Sequence, residues 1–333
     1  MIISRTPFRI SFFGGGTDFP AWYREHGGAV LSTSINKYCY ITCRYLPPFF
    51  EHKSRILYSK IENVQSHDQI EHPAVRAILK QLHIEEGIEI HHDGDLPART
   101  GLGSSSSFAV GLLHALRTLK SVSLTKMQLA KEAIHIEQEV LRENVGCQDQ
   151  AIAALGGLRR IDFLANNEIE TTPLTLPAGR LEDLQNHILL YFNGFSRISS
   201  EIAKEQIARI PDKTKELGAM QMMVTESIRM LMGKGDLTGF GKLLDESWKL
   251  KRGLSSKITT PETDEAYAAA MSAGALGGKL LGAGGGGFMI FFAKPEAHPK
   301  IKEKLKKLLR VPVRFETGGS QIIFSQSDPS TSA

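Results

Sequence analysis

The run Pro97-Ala98-Arg99-Thr100-Gly101-Leu102-Gly103-Ser104-Ser105-Ser106-Ser107 leads straight into Phe108-Ala109-Val110-Gly111-Leu112-Leu113-His114-Ala115-Leu116, so a glycine turn with four hydroxyls stands where a helix begins. A helix amino end carries unpaired N–H groups and the positive end of the dipole, and glycine lets the chain wrap close to phosphate oxygens. The serines could bond phosphate or reach a magnesium ion, or they could simply cap a buried helix. A second glycine cluster, Gly282-Ala283-Gly284-Gly285-Gly286-Gly287, formally fits the dinucleotide pattern G-x-G-x-x-G. That pattern must turn into a helix, whereas Phe288-Met289-Ile290-Phe291-Phe292 reads as a strand, so this loop joins two strands. Its glycines imply close backbone approach, to a ligand or to the first glycine loop. No G-x-x-x-x-G-K followed by Ser or Thr occurs, which excludes the P-loop fold.

Charged residues supply further chemistry. Arg9 lies among apolar neighbours and is either snorkelling or held inside to meet an anion. Asp18 follows Gly14-Gly15-Gly16-Thr17 and could close a turn or accept sugar hydroxyls. At about 100° per residue, Met127, Ala130, Ala133, Ile134 and Leu141 form the apolar face of a helix spanning 125–142, with Glu137 in its middle. A carboxylate turned inward needs a buried cation or a metal ion. Asp149, in Gly146-Cys147-Gln148-Asp149-Gln150, is a helix cap or a catalytic carboxylate.

The elements that must carry these groups suit two domains, since 333 residues exceed what one core usually serves. Apolar residues make up 41% and charged residues 23%, an ordinary globular balance. The formal charge of +4 is spread along the chain; its densest run, Lys300 to Arg310, reads as a solvated helix face and excludes nucleic acid as a partner. Cys39, Cys43 and Cys147 match no zinc spacing, with Cys39 and Cys43 sharing the buried face of a strand. No signal-type segment or apolar run of membrane length occurs, so a reduced cytoplasmic protein with no membrane partner is expected. Strand patterns fall at 2–4, 9–13, 29–44, 55–58, 87–92, 158–163, 169–175 and 187–192, and helix patterns at 73–82, 105–119, 199–209, 212–232, 236–251 and 262–273. The proline-bearing stretch near 174–179 divides the chain into 1–178 and 179–325, with a disordered tail at 326–333. Methionines 220, 222, 223, 230 and 232 suggest a helix packed on both sides.

Pro7 to Asp18, Pro97 to Ser107 and Lys279 to Phe288 resemble, in order, the three motifs of the GHMP small-molecule kinases, named for galactokinase, homoserine kinase, mevalonate kinase and phosphomevalonate kinase. The resemblance implies an α+β fold: an amino-terminal domain like the second domain of ribosomal protein S5, a ferredoxin-like carboxyl-terminal domain, and ATP and substrate between them. It assigns Gly101, Leu102, Gly103, Ser104, Ser105, Ser106 and Ser107 to the ATP phosphates, Ser105 and Glu137 to Mg2+, and Asp149 with Arg9 to catalysis. Gly15, Gly16, Thr17, Asp18, Gly284 and Gly285 would contact the sugar. Where galactokinase has Glu-His, this chain has Gly15-Gly16, which makes room for a bulkier or phosphate-bearing sugar. Within the family the motifs are most similar to the branch acting on D-glycero-D-manno-heptose 7-phosphate. That branch implies transfer of the γ-phosphoryl group of ATP to the anomeric hydroxyl, giving the α 1,7-bisphosphate for nucleotide-activated heptose synthesis. A kinase of an unphosphorylated sugar such as L-fucose, or a non-catalytic sugar and ATP sensor, would carry the same motifs. Arg24, Lys37, Arg99, Lys251 and Arg252 are candidates for a distal phosphate, none of them assigned. The expected partners are ATP and a small-molecule sugar phosphate, with self-association left open.

Overall fold

A computed structural model describes residues 1–98, 100–195 and 199–326. Two long strands, Ile2–Phe13 and Gly28–Tyr45, rich in β-branched and aromatic residues, pair antiparallel at the centre of a nine-stranded sheet. Ile88–Gly94 flanks Gly28–Tyr45 and is followed outward by Ser54–Leu57, paired in parallel, and Ile61–Val64. Arg159–Phe163 and Ile169–Pro173 extend the sheet from the other half of Gly28–Tyr45. The helix Ser104–Leu119 packs across the two central strands, and its first turn therefore sits beside the strand that carries Arg9. Cys39 and Cys43 are fully buried in this core, as their shared face predicts.

The second sheet has four antiparallel strands, Leu309–Arg310, Ile188–Phe192, Phe288–Phe292 and Gly277–Leu280, against which the helices Thr238–Arg252 and Pro261–Ser272 pack, while Thr214–Met232 lies between Thr238–Arg252 and the two central strands of the first sheet. This is the α+β content expected. The two sheets are joined by aromatic packing: the Phe12 and Phe13 rings meet Phe240 edge-on at 5.6 and 5.1 Å, and Phe240 meets Phe292 at 5.3 Å.

Some expectations need correction. The division at 179–325 does not hold at its far end, because Phe315–Glu316 pairs with Gly28–Tyr45 and Gln321–Ser325 pairs with Ile2–Arg5, returning the chain to the first sheet. Pro20–His26 forms a helix that no apolar period announces. The methionine helix is packed on one face only: Met220 is buried while Met222 is 76% and Met232 50% exposed. The expected tail, 326–333, lies outside the described residues apart from Gln326. Among the described residues no helix is long and apolar enough to cross a membrane.

Candidate active site

Arg9 and Asp149 form the centre. Arg9 Nε and Nη2 donate to the two Asp149 carboxylate oxygens, each at 2.7 Å, and Nη1 donates to the Gly101 carbonyl at 2.6 Å. Arg9 is 4% exposed, so it does not snorkel. Asp149 stands in the first turn of the helix Gln148–Leu155, whose amino-cap residue is Cys147. It is therefore not the cap: its carboxylate is held by the guanidinium in a planar, two-point pair, a geometry only arginine supplies.

The serine loop divides by orientation. Successive helix residues point about 100° apart, so four serines cannot all face one ligand. Ser107 Oγ donates to the Pro7 carbonyl at 2.9 Å and Ser106 Oγ to Glu137 Oε2 at 2.7 Å, both buried. Ser105 is exposed and Ser104 half-buried. Leu102 is fully buried, and its carbonyl accepts the Arg9 N–H at 3.0 Å. The assignment of every residue from Gly101 to Ser107 to phosphate is thus corrected, since the hydroxyls of Ser106 and Ser107 and the Leu102 side chain turn inward. Gly103, at φ +75°, precedes Ser104 at the helix amino end and supplies no side-chain cap.

Glu137 is 2% exposed, as its place on the apolar face requires. The helix does not stay regular there: Lys126–His135 is α-helical and Ile136–Val140 a π-helical turn, a distortion common at functional sites. Burial pushes the Glu137 carboxyl up to about 7, against the hydrogen bonds from Ser106 and from Gln150 Nε2 at 2.5 Å. The inward carboxylate thus has two neutral donors. The expected Ser105 and Glu137 pair is corrected in one respect: the serine joined to Glu137 is Ser106.

Asp18 is 3% exposed and accepts from the Gly16 N–H at 2.9 Å and the Gln148 N–H at 3.4 Å. Burial and then the Asp149 charge raise its carboxyl above the usual range. Gly15 and Gly16 are half-buried beside it. Thr17 is corrected from a sugar contact: its hydroxyl donates to the Gly14 and Ala29 carbonyls at 2.8 and 3.0 Å, closing the turn.

Two lysines, Lys251 and the Lys279 that opens the third motif, are buried at the same place. Lys251 Nζ donates to the Leu280 and Gly282 carbonyls at 3.1 and 2.5 Å, and Lys279 Nζ to the Phe12 carbonyl at 2.9 Å. Burial, then the charge of Arg9, pushes the Lys251 ammonium down to about 7. Lys279 is depressed further by burial, then by Lys251 and Arg9. Lysines inside apolar sequence were the available signal. Of the other cations considered for a distal phosphate, Arg24 binds Asn167, Arg252 pairs with Asp264, and Arg99 lies outside the described residues.

The second glycine cluster joins strands Gly277–Leu280 and Phe288–Phe292, as read from sequence. The close approach is to the first loop. A methyl carbon on Gly101 (φ +82°) would lie 2.3 Å from the Leu281 carbonyl oxygen, and one on Gly282 (φ +76°) 2.4 Å from the Gly101 Cα. Gly284 packs on the Ile258 backbone, whose carbonyl accepts the Gly285 N–H at 2.9 Å.

A glycine-led helix end, a two-point Arg–Asp pair and a buried carboxylate beside a serine are groups that phosphoryl transfer could use. The family of GHMP kinases N terminal domain matches residues 69–157 and that of GHMP kinases C terminal matches 228–311, together just over half of the chain. The chain belongs to the GHMP kinase family. It is similar to the D-glycero-alpha-D-manno-heptose 7-phosphate kinase of Campylobacter jejuni, at 28% identity over 92% of this chain and 93% of that protein. A galactokinase of Thermotoga neapolitana is 25% identical over 94% of this chain and 95% of its own. The crystal structure of a D-glycero-D-manno-heptose 1-phosphate kinase from Bacteriodes thetaiotaomicron superposes with a TM-score of 0.80 at 25% identity, covering 98% of this chain and all of that one. The protein is an ATP-dependent sugar kinase of the GHMP fold.

Proposed function

We propose that the protein transfers the γ-phosphoryl group of ATP to the anomeric hydroxyl of D-glycero-D-manno-heptose 7-phosphate, giving the α 1,7-bisphosphate. The observation that carries this reading is the Arg9–Asp149 pair at the mouth of the serine-loop helix, next to Asp18. Asp149, oriented by Arg9, accepts the proton of the attacking hydroxyl, and the Arg9 charge faces the negative charge that develops on the phosphoryl group. Asp18 holds sugar hydroxyls, and the helix amino end at Gly103 to Ser105 receives the triphosphate through its backbone N–H groups and dipole.

Glu137 fits a divalent cation, because its buried carboxyl has neutral donors and no cationic partner among the described residues and the Ser106 hydroxyl lies against it. We place Mg2+ there, where it would neutralise phosphate oxygens. The choice of sugar is supported by the similarity to heptose phosphate kinases over nearly the whole chain and by the lack of side chains at Gly15 and Gly16. The galactokinase similarity favours an unphosphorylated sugar as the second reading.

A coupled ADP-release screen over sugars and their terminal phosphate esters tests the proposal. Turnover should be highest with the heptose 7-phosphate and fall at least about a hundredfold when the phosphate is removed. Equal turnover of the unphosphorylated sugar supports the second reading, and binding of both ligands without ADP release supports a sensor.

A further inference from the structure

Ser320, 2% exposed, lies where the returning carboxyl-terminal segment crosses the elements that carry the site. Its Oγ shares a hydrogen bond with Thr6 Oγ1 at 2.8 Å and another with His114 Nδ1 at 2.9 Å, and its backbone N–H donates to the Ala153 carbonyl at 2.8 Å. Those partners belong to three different elements. Thr6 lies on Ile2–Phe13 three residues before Arg9, His114 on Ser104–Leu119 about two turns after Ser106, and Ala153 on Gln148–Leu155 about one turn after Asp149. One residue therefore joins the strand of the guanidinium, the helix of the serines and the helix of Asp149. The last of these is held most closely. Carbonyls in a final helical turn have no partner inside the helix, and the Ser320 N–H takes one of them. Just beyond the helix the Gly157 N–H donates to the Glu316 carbonyl at 3.2 Å. Backbone meets backbone here: a methyl carbon on Gly319 would lie 2.0 Å from the Ala154 carbonyl oxygen, and one on Gly156 2.0 Å from the Gly318 carbonyl.

We propose that Ser320 is a positioning residue for phosphoryl transfer, tying the three elements together so that the Arg9–Asp149 pair and the serine helix keep their mutual placement. The proposal rests on the reading of Arg9, Asp149 and the serine helix given above. Ser320 acts through Thr6, His114 and Ala153. A misplacement of about 1 Å between reacting groups lowers a rate by up to about a hundredfold, whereas binding contacts spread over many groups tolerate it. Loss of the tether therefore shows in kcat rather than in KM, and a hydroxyl with only a structural role shows in the melting temperature alone.

The test is steady-state kinetics of the full chain, well below its melting temperature, with ATP and D-glycero-D-manno-heptose 7-phosphate or the acceptor that the ADP-release screen returns. Wild type is compared with Ser320→Ala, Thr6→Val, the double variant and Ser54→Ala. Ser54 is the control: it is fully buried, bonds His67 Nε2 at 3.0 Å and accepts the Ile88 N–H at 3.1 Å, on a strand separated from Ile2–Phe13 by two others. Ser320→Ala should lower kcat about tenfold with both KM values within about twofold, and Thr6→Val should lower it about threefold. The double variant should fall no further than Ser320→Ala, because both changes cut one tether. Ser54→Ala should lower the melting temperature about as much as Ser320→Ala and keep the wild-type kcat. Unchanged kcat in Ser320→Ala, an equal fall in Ser54→Ala, or additive falls in the double variant would overturn the proposal. Should Ser320→Ala not fold, Thr6→Val against Ser54→Ala decides: a lower kcat in Thr6→Val alone supports the tether, and equal values overturn it. Wild-type turnover by Asp149→Asn would sink the base assignment by itself, since the comparison of kcat reads the tether whichever residue on the three elements does the chemistry.

Discussion

At the scale of single residues, the site is a set of buried charges whose partners decide their roles. Asp149→Asn removes one acceptor from the Arg9 fork and the base itself. Turnover should fall about 10²- to 10⁴-fold while ATP affinity, measured by calorimetry, stays within about twofold of wild type. Glu137 gives a prediction with a sign. Burial pushes its folded carboxyl from the ordinary 4.5 up to about 7, so the folded state binds the extra proton and ionisation works against folding. In metal-free protein, stability from this group is full below about pH 4.5 and is lost as pH rises toward 7. Glu137→Gln should therefore melt higher than wild type at pH 8, by ~3 kcal/mol at most, and equally at pH 4.5, while losing the response of activity to Mg2+. A lower melting temperature at pH 8 with Mg2+ dependence intact would make Glu137 structural. Arg9, Glu137 and Asp18 were legible in the sequence as buried charges, because apolar neighbours or a glycine turn leave each little solvent, whereas Asp149, 23% exposed between two glutamines, read equally as a cap or a catalytic carboxylate. Ser106 as the partner of Glu137 was not, since a π-helical turn shifts the helix face in a way that a regular 100° period does not show.

At the scale of elements, the two glycine loops form one device. Arg9 binds the Gly101 carbonyl, Gly101 abuts Gly282, and Lys251 binds the Gly282 carbonyl, so the serine loop is supported from behind by the loop of the other sheet. Gly282→Ala puts a methyl into Gly101 at a left-handed backbone position and should lower stability by ~2 kcal/mol or more and raise KM for ATP. Gly218→Ala, on the open side of the helix Thr214–Met232, is the control and should raise stability by up to ~1 kcal/mol. Thermal melts of both variants check the pair. The strand–loop–strand character of the Gly282–Gly287 loop was readable from Phe288 to Phe292, as was its approach to the first loop. That Gly284 and Gly285 pack on Ile258 was not, because local sequence does not say which surface a glycine meets.

At the scale of the molecule, the two halves share a core and an edge. Phe12, Phe13, Phe240 and Phe292 link the sheets, and the strands Phe315–Glu316 and Gln321–Ser325 complete the first one. A chain cut to residues 1–178 should accordingly give no cooperative melt by circular dichroism, whereas an independent amino-terminal domain would give one. Sequence periodicity located the long helices and the central strands but missed the short elements Pro20–His26, Ile61–Val64 and Arg180–Asn186, and it divided the chain too simply, since strand pairing across more than 300 residues leaves no local mark. The central claim is that this shared cleft phosphorylates an anomeric hydroxyl with Asp149 as base, and phosphorus NMR of the reaction with ATP, Mg2+ and D-glycero-D-manno-heptose 7-phosphate tests it most directly. The account predicts ADP together with a new phosphate resonance coupled to the anomeric proton for wild type, and neither for Asp149→Asn over the same period. ADP formed without that resonance, or the same product from Asp149→Asn at a comparable rate, would contradict it.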